Sequence, residues 1–209
     1  MTKEWIRQRK RDPFYRKAKT EGYRSRSAYK LKEINNRLRL IRKGSAVIDV
    51  GAAPGGWSQV ASEIVGERGT VVAVDIIPME SMGSVRFVQG DIEDPGTVER
   101  IMDIRPLFDA VISDASPSLS GNRTLDRGRS LALNWAVLKM ALQVLKPGGG
   151  VVVKMFQGSE VDELMEEYGP HFNNVDRIKP KSSLKKSIEL FIGFRGFKGN
   201  PTEDGEGIP

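Results

Sequence analysis

Short, nearly continuous apolar runs alternate along the chain with stretches spaced like amphipathic helices. Ser45-Ala-Val-Ile-Asp-Val runs into Gly51, Thr70-Val-Val-Ala-Val ends in Asp75, and Val85-Arg-Phe-Val-Gln-Gly runs into Asp91. Phe108-Asp-Ala-Val-Ile-Ser ends in Asp114, and Gly150-Val-Val-Val-Lys-Met-Phe is the fifth run. Such runs, bounded by Gly and Asp, predict parallel strands covered on both faces. Two more strand candidates lie around Val175 to Ile178 and from Ile188 to Phe194. Between the strands, Ala28, Leu31, Ile34 and Leu38 form one helical stripe, which Ser25 or Ser27 can cap. At 100° per residue, Lys30 lies roughly 40° from the edge of that stripe, bordering the buried face. Helical pattern also covers Trp57 to Val65, Pro95 to Met102 and Val161 to Tyr168. It recurs at Leu131, Trp135, Leu138, Leu142 and Leu145, and Lys146-Pro-Gly-Gly stops it. Ser116 to Ser130 is polar and turn-rich and reads as a loop.

Strands alternating with helices predict an α/β fold, a doubly wound, mostly parallel seven-stranded sheet in a single domain. The expected division is a basic N-terminal arm over 1–24, the folded body over 25–198 and a flexible tail over 199–209. In a sheet of this kind ligands bind beyond the carboxyl ends of the strands, at the point where strand order reverses. Asp75 and Asp114 end their strands there, and Asp91 lies just past one. Carboxylates in such places are costly unless something uses them.

The loop after the first strand, Asp49-Val-Gly51-Ala-Ala-Pro-Gly55-Gly56-Trp57-Ser58, departs from the dinucleotide spacing G-x-G-x-x-G, and no lysine follows to make a P-loop. A Gly-rich turn also makes plain strand-to-helix connections, so the loop alone is weak evidence. Asp75 changes its weight, because a carboxylate at the end of the second strand can accept both hydroxyls of a ribose. Asp91 is placed to accept from an adenine amino group. Each Asp taken singly is equally well a turn or cap residue. Together on one sheet edge they favour an adenosine-containing ligand.

Charge and composition narrow the chemistry. The chain has no cysteine and one histidine, His171, in a turn-like stretch. Disulfides, thiol nucleophiles, Cys-ligated zinc and multi-His metal sites are thereby excluded, a lone loop histidine speaks against zinc hydrolases and His-based triads, and no metal is expected. No run is long and apolar enough for a membrane span, and the charged Met1–Arg11 stretch is no secretory signal, so a cytoplasmic location is expected. Of the net charge of +6, residues 1–43 hold 16 Lys and Arg against 4 Asp and Glu. Trp5, Phe14, Tyr15, Tyr23 and Tyr29 are interleaved there, and a second cluster holds Arg177, Lys179, Lys181, Lys185, Lys186, Arg195 and Lys198. Cations with aromatics fit a nucleic acid, through counterion release and stacking on bases. The plainer reading is a solubilising arm whose aromatics anchor it to the body.

At this point the sequence resembles the FtsJ/RrmJ ribosomal RNA 2′-O-methyltransferases. The resemblance rests on Asp49-Val-Gly-Ala-Ala-Pro-Gly-Gly-Trp-Ser58, on Ser27-Ala-Tyr-Lys-Leu31, and on Asp114-Ala-Ser-Pro117 with Ser120, Gly121 and Asp126. Val153-Lys-Met-Phe156 and Ser187-Ile-Glu-Leu-Phe191 complete it, over about Tyr15 to Phe197. Ala115 and Ser118 depart from the Met and Asn of bacterial members, which bears on the target more than on the chemistry. The resemblance implies a Rossmann-like methyltransferase fold and S-adenosylmethionine as donor. It implies a cofactor pocket at Gly55, Trp57, Asp75, Asp91 and Asp114, and a catalytic tetrad at Lys30, Asp114, Lys154 and Glu189. Lys154 is expected as base or oxyanion stabiliser, with Lys30 and Glu189 holding the hydroxyl and the Lys154 ammonium. Asp114 is expected to tie the tetrad to the cofactor side. The implied substrate is a uridine in large-subunit ribosomal RNA, met as bare RNA or as the ribosomal subunit by a monomer. Transfer RNA, a cap ribose, an NAD-dependent oxidoreductase and a non-catalytic ribosome-binding factor are the competing readings.

Overall fold

The computed structural model describes residues 12–117, 120–184 and 187–199. Residues 1–11 of the expected arm, residues 200–209 of the expected tail, and Ser118, Lys185 and Lys186 fall outside the described residues. In chain order the elements are α1 (Pro13–Thr20), α2 (Ala28–Leu38), β1 (Ala46–Val50), α3 (Gly56–Val65), β2 (Thr70–Asp75), β3 (Arg86–Gln89) and α4 (Pro95–Ile104). Then follow β4 (Phe108–Ser113), α5 (Arg123–Val144), β5 (Leu145–Phe156), α6 (Glu160–Tyr168), β6 (Phe172–Ile178) and β7 (Glu189–Phe197). The strands form one seven-stranded sheet in the order β3-β2-β1-β4-β5-β7-β6. β1 to β5 run parallel, and β7 is antiparallel to both β5 and β6.

Alternation along each strand feeds two cores. Ile48, Val50, Val111, Val151 and Val153 pack on the face covered by α4, α5 and α6, with Ile101, Leu138 and Leu164. Val47, Ala110, Ile112, Val152 and Phe191 pack on the other face, with Leu31 and Ile34 of α2 and Val60 and Ala61 of α3. Burying each large side chain stabilises by about 1.5–3 kcal/mol, so the two layers fix which strand ends lie side by side. Strand order reverses between β1 and β4, and the carboxyl ends of β1, β2 and β4 surround that point.

Three boundaries differ from the sequence reading. The expected loop Ser116–Ser130 ends early, because α5 starts at Arg123. The Asn122 side chain accepts from the amides of Thr124 and Leu125, and the polar first turns hid the helical period. Leu145, read as the last position of that helical stripe, opens β5 opposite Phe108. Inside the expected arm, Asp12 caps α1 by accepting from Phe14 and Tyr15 amides, with Pro13 at the first helical position. No helix among the described residues is long and apolar enough to cross a membrane.

Candidate active site

A cavity of about 540 Å³ opens at the reversal point. Asp75, Asp91 and Asp114 all line it, with Gly51 and Ala53 from the loop after β1 and apolar walls that include Ile76, Ile92 and Leu133. Asp75 is fixed by two backbone donors: Oδ2 accepts from Ala53 N at 2.8 Å and Oδ1 from Ile77 N at 2.8 Å. Each carboxylate oxygen keeps a further lone pair for a hydroxyl. Asp91 Oδ1 accepts from Glu93 N at 3.0 Å.

The glycines of the loop answer to geometry. Gly51 has φ +71°, and a Cβ on it would stand 2.5 Å from Ala115 Cβ and 2.7 Å from Ala115 Cα. Backbone therefore meets backbone between the β1 and β4 ends, which only glycine permits. Gly55 has φ +106°, and its missing Cβ leaves room for Met79, Met82 and Arg24. Neither Gly55 nor Trp57 is among the residues lining the cavity. Trp57 is buried, its Nε1 donating to Ser27 O at 2.9 Å and its ring 5.6 Å from that of Phe191. It ties α3 to the start of α2 and to β7 behind the loop.

Beside the cavity the chain gathers Lys30, Asp114, Lys154 and Glu189 from four elements. Lys30 comes from the first turn of α2 and Asp114 from the residue after β4. Lys154 comes from the end of β5 and Glu189 from the start of β7. The β5–β7 register pairs Lys154 with Phe191 and Phe156 with Glu189, so the Lys154 and Glu189 side chains share one face. Lys154 Nζ lies 3.2 Å from Asp114 Oδ1 and also donates to the Asp114 carbonyl. Lys30 Nζ lies 3.6 Å from the same Asp114 Oδ1 and 2.7 Å from Glu189 Oε1. Among the ion pairs within 4 Å, Glu189 thus reaches Lys30, where the sequence reading had it hold Lys154. The Lys30 ammonium also stands 5.5 Å from the Phe191 ring centre. Lys30 and Lys154 are each only 9% exposed, so these contacts form largely out of water. Burial pushes the Glu189 carboxyl up, but the ammoniums of Lys30 and Lys154 outweigh it and hold Glu189 below its ordinary value. The Asn134 amide of α5 donates to Lys154 O at 2.7 Å and fixes the strand end beneath the amine.

Two participants escaped the sequence reading. Asp49, fully buried on the α3 side of β1, accepts from Ser58 Oγ at 2.6 Å. Burial raises its carboxyl to about 7 against the Ser58 hydrogen bond, and the charges of Asp114 and Asp75 add to the rise. An acid inside a valine run is the sequence signal for it. Arg24 donates to Pro54 O at 3.3 Å, Glu80 O at 2.8 Å and Ser81 O at 2.8 Å, clasping the β1–α3 loop to the β2–β3 loop. Nothing in the sequence separates it from its basic neighbours. The aromatics of the basic segment pack on one another: Phe14–Tyr29 centres are 5.4 Å apart and Tyr23–Tyr29 centres 5.7 Å. Their hydroxyls bind Glu63 and Glu21, and Lys32 and Lys17 lie over their rings. These three rings anchor the segment to the body, the plainer of the two expectations.

Comparison with known proteins returns one consistent picture. The FtsJ-like methyltransferase family profile matches residues 23–197. The chain is 51% identical over 187 residues to the ribosomal RNA large subunit methyltransferase E of Archaeoglobus fulgidus, covering 89% of this chain and 96% of that one. To the Stutzerimonas stutzeri protein of the same name it is 44% identical over 202 residues, covering 95% and 97%. A crystal structure described as that of a ribosomal RNA methyltransferase from Plasmodium falciparum superimposes with a TM-score of 0.76 at 28% identity, covering 85% of this chain and all of that one.

Proposed function

The chain belongs to the FtsJ-like methyltransferase family, and from that premise we propose that it transfers a methyl group from S-adenosylmethionine to the 2′-oxygen of a ribose in RNA, a uridine of large-subunit ribosomal RNA. The observation that carries the reading is the Lys30–Asp114–Lys154–Glu189 cluster set against the cavity, with Asp114 belonging to both.

The cavity fits the donor on the chemistry of its walls. Asp75 supplies carboxylate lone pairs for ribose hydroxyls, and Asp91 an acceptor for an amino group. Ile76 and Ile77, 64% and 58% exposed, offer apolar cover to an aromatic base. Asp114 Oδ1 is a buried oxygen that, among the described residues, has no hydrogen-bond partner and is held by ion pairs to Lys30 and Lys154. When bound, S-adenosylmethionine supplies an activated methyl group on a sulfonium.

The protein's task is then to place the ribose hydroxyl and remove its proton. Lys154 Nζ takes that proton. The Asp114 carboxylate, 3.2 Å from Lys154 Nζ, stabilises the ammonium that forms as the proton arrives. Lys30 bridges Asp114 and Glu189, and so holds Asp114 at the angle at which it fixes Lys154. With its side chain on Lys154 and its other face on the cavity, Asp114 keeps base and donor in register. Gly55 and Trp57 serve the cofactor side by shaping the loop from behind. The reading carries a monomer working in the cytoplasm.

The test is transfer of labelled methyl from the donor to large-subunit ribosomal RNA, followed by alkaline hydrolysis. A methylated 2′-oxygen cannot attack the adjacent phosphate, so the label should survive in an alkali-resistant dinucleotide. Label released in mononucleotides would place the methyl elsewhere.

A further inference from the structure

The two basic clusters of the sequence are each divided by the fold. Helix α2 carries Lys30 to the catalytic edge, but Arg39 and Arg42 follow its other end, where nine residues of helical rise amount to about 14 Å. β6 and β7 are antiparallel, so Arg177 ends near the catalytic edge and Arg195 near the opposite one. There Arg39, Arg42 and Arg195 converge with Lys146, from the irregular start of β5, around a groove of about 410 Å³. Among the described residues, Asp109 is the only carboxylate lining it. That charge is already spent: Asp109 Oδ2 accepts from Ala46 N at 2.7 Å, Oδ1 lies 2.8 Å from Lys146 Nζ, and these contacts hold the carboxyl below its ordinary value despite burial. Asp176 pairs with Arg195 at 2.8 Å. Arg39 and Arg42 are exposed and have no acidic partner within 4 Å among the described residues. Arg42 gives only its Nε to the Arg39 carbonyl. Lys146 and Arg195 hold those two acids, which leaves Arg39 and Arg42 as two solvent-facing guanidiniums side by side at one groove.

We propose that this groove, at the amino edge of the parallel strands, is a second RNA site that takes backbone phosphates from a stretch of the substrate distinct from the one presenting its ribose to Lys154. The inference rests on the reading of RNA as substrate. Arginine suits the task, because its planar fork meets phosphate oxygens in pairs. Contacts of this kind add affinity without reading sequence. They also lie too far round the sheet to touch the reacting atoms.

The experiment compares wild type with Arg39→Glu/Arg42→Glu and the milder Arg39→Gln/Arg42→Gln. Each is measured for binding to full-length large-subunit ribosomal RNA across salt concentrations, for donor affinity, and for methyl transfer to the full RNA and to a short fragment around the mapped target. Loss of two phosphate contacts should flatten the log–log salt slope by about 1.4 and weaken binding at 0.1 M salt by at least about tenfold. KM for the full RNA should rise in step, while kcat, donor affinity and all constants on the short fragment stay at wild-type values. An unchanged slope and KM on full RNA overturn the proposal, as does an equal rise in KM on the fragment. If wild type methylates no RNA, the proposed function falls instead, and the salt slopes still decide the groove.

Discussion

Lys30 Nζ lies 2.7 Å from Glu189 Oε1, joining the first turn of α2 to the first residue of β7 across the proposed catalytic cluster. Lys30 also meets Asp114, so Glu189 reaches Lys154 through two intermediaries. Replacing Glu189 with Gln keeps a hydrogen-bond acceptor and deletes the charge that balances Lys30. The expected result is a fall in kcat of about 100-fold, from a shift of the cluster by a fraction of an ångström, with donor affinity unchanged. The stability profile carries an independent sign. Glu189 is held below its ordinary value in the fold, so its stabilisation is present above the unfolded value and lost as pH falls through the folded one. Urea midpoints should therefore show a shallower acid limb in Glu189→Gln than in wild type.

Arg24 joins three backbone carbonyls from two loops, and both loops wall the cavity proposed to take the donor. Arg24→Ala should weaken donor binding by about tenfold, the worth of one to two net hydrogen bonds. Arg24→Lys should restore little, since a point charge cannot span the three acceptors. Calorimetric titration with the donor reads this directly, and thermal melts should move far less.

Asp49 titrates in the opposite sense to Glu189. Its carboxyl is raised from the ordinary 3.8 to about 7, so between those values the folded protein keeps a proton that the unfolded chain has lost. Stability from this group is full below about pH 4 and declines as pH rises towards 7. Asp49→Asn retains an acceptor for Ser58 and does not titrate. Relative to wild type it should gain on the order of a few kcal/mol between pH 4 and pH 8, as urea unfolding at both pH values would show. Parallel profiles would refute the assignment.

Gly51→Ala would place a methyl 2.5 Å from Ala115 Cβ on a backbone at φ +71°. Both terms oppose folding, by about 1–3 kcal/mol each. Because the clash pushes apart the ends of β1 and β4, donor affinity should fall along with melting temperature. A variant that melts lower but binds normally would contradict this placement of the loop.

Much of this architecture was legible because buried parallel strands leave unbroken apolar runs. Asp75 and Asp114 stand out at the ends of theirs, and Asp91 just past another. The tetrad was less legible. Lys154 and Glu189 become diagonal neighbours only through the antiparallel register of β5 and β7, and no periodicity within either segment encodes it. Family resemblance named the residues, and the fold then showed Glu189 bound to Lys30. The start of α5 was missed because its first turns are polar and Leu125 is exposed, so the helical period begins late. Arg24 and Arg39 have equivalent signatures in the chain, and only packing separates a clasp on loops from an arginine facing solvent.

The central claim is that Lys154, pinned by Asp114 beside the donor cavity, removes the proton from a ribose hydroxyl. Single-turnover transfer from tritiated S-adenosylmethionine to purified large subunits, in wild type and Lys154→Ala, tests it most directly. Wild type should label one ribose 2′-oxygen, and Lys154→Ala should transfer at least about 10²–10⁴-fold more slowly while binding the donor with wild-type affinity. Transfer by Lys154→Ala at the wild-type rate would contradict the account.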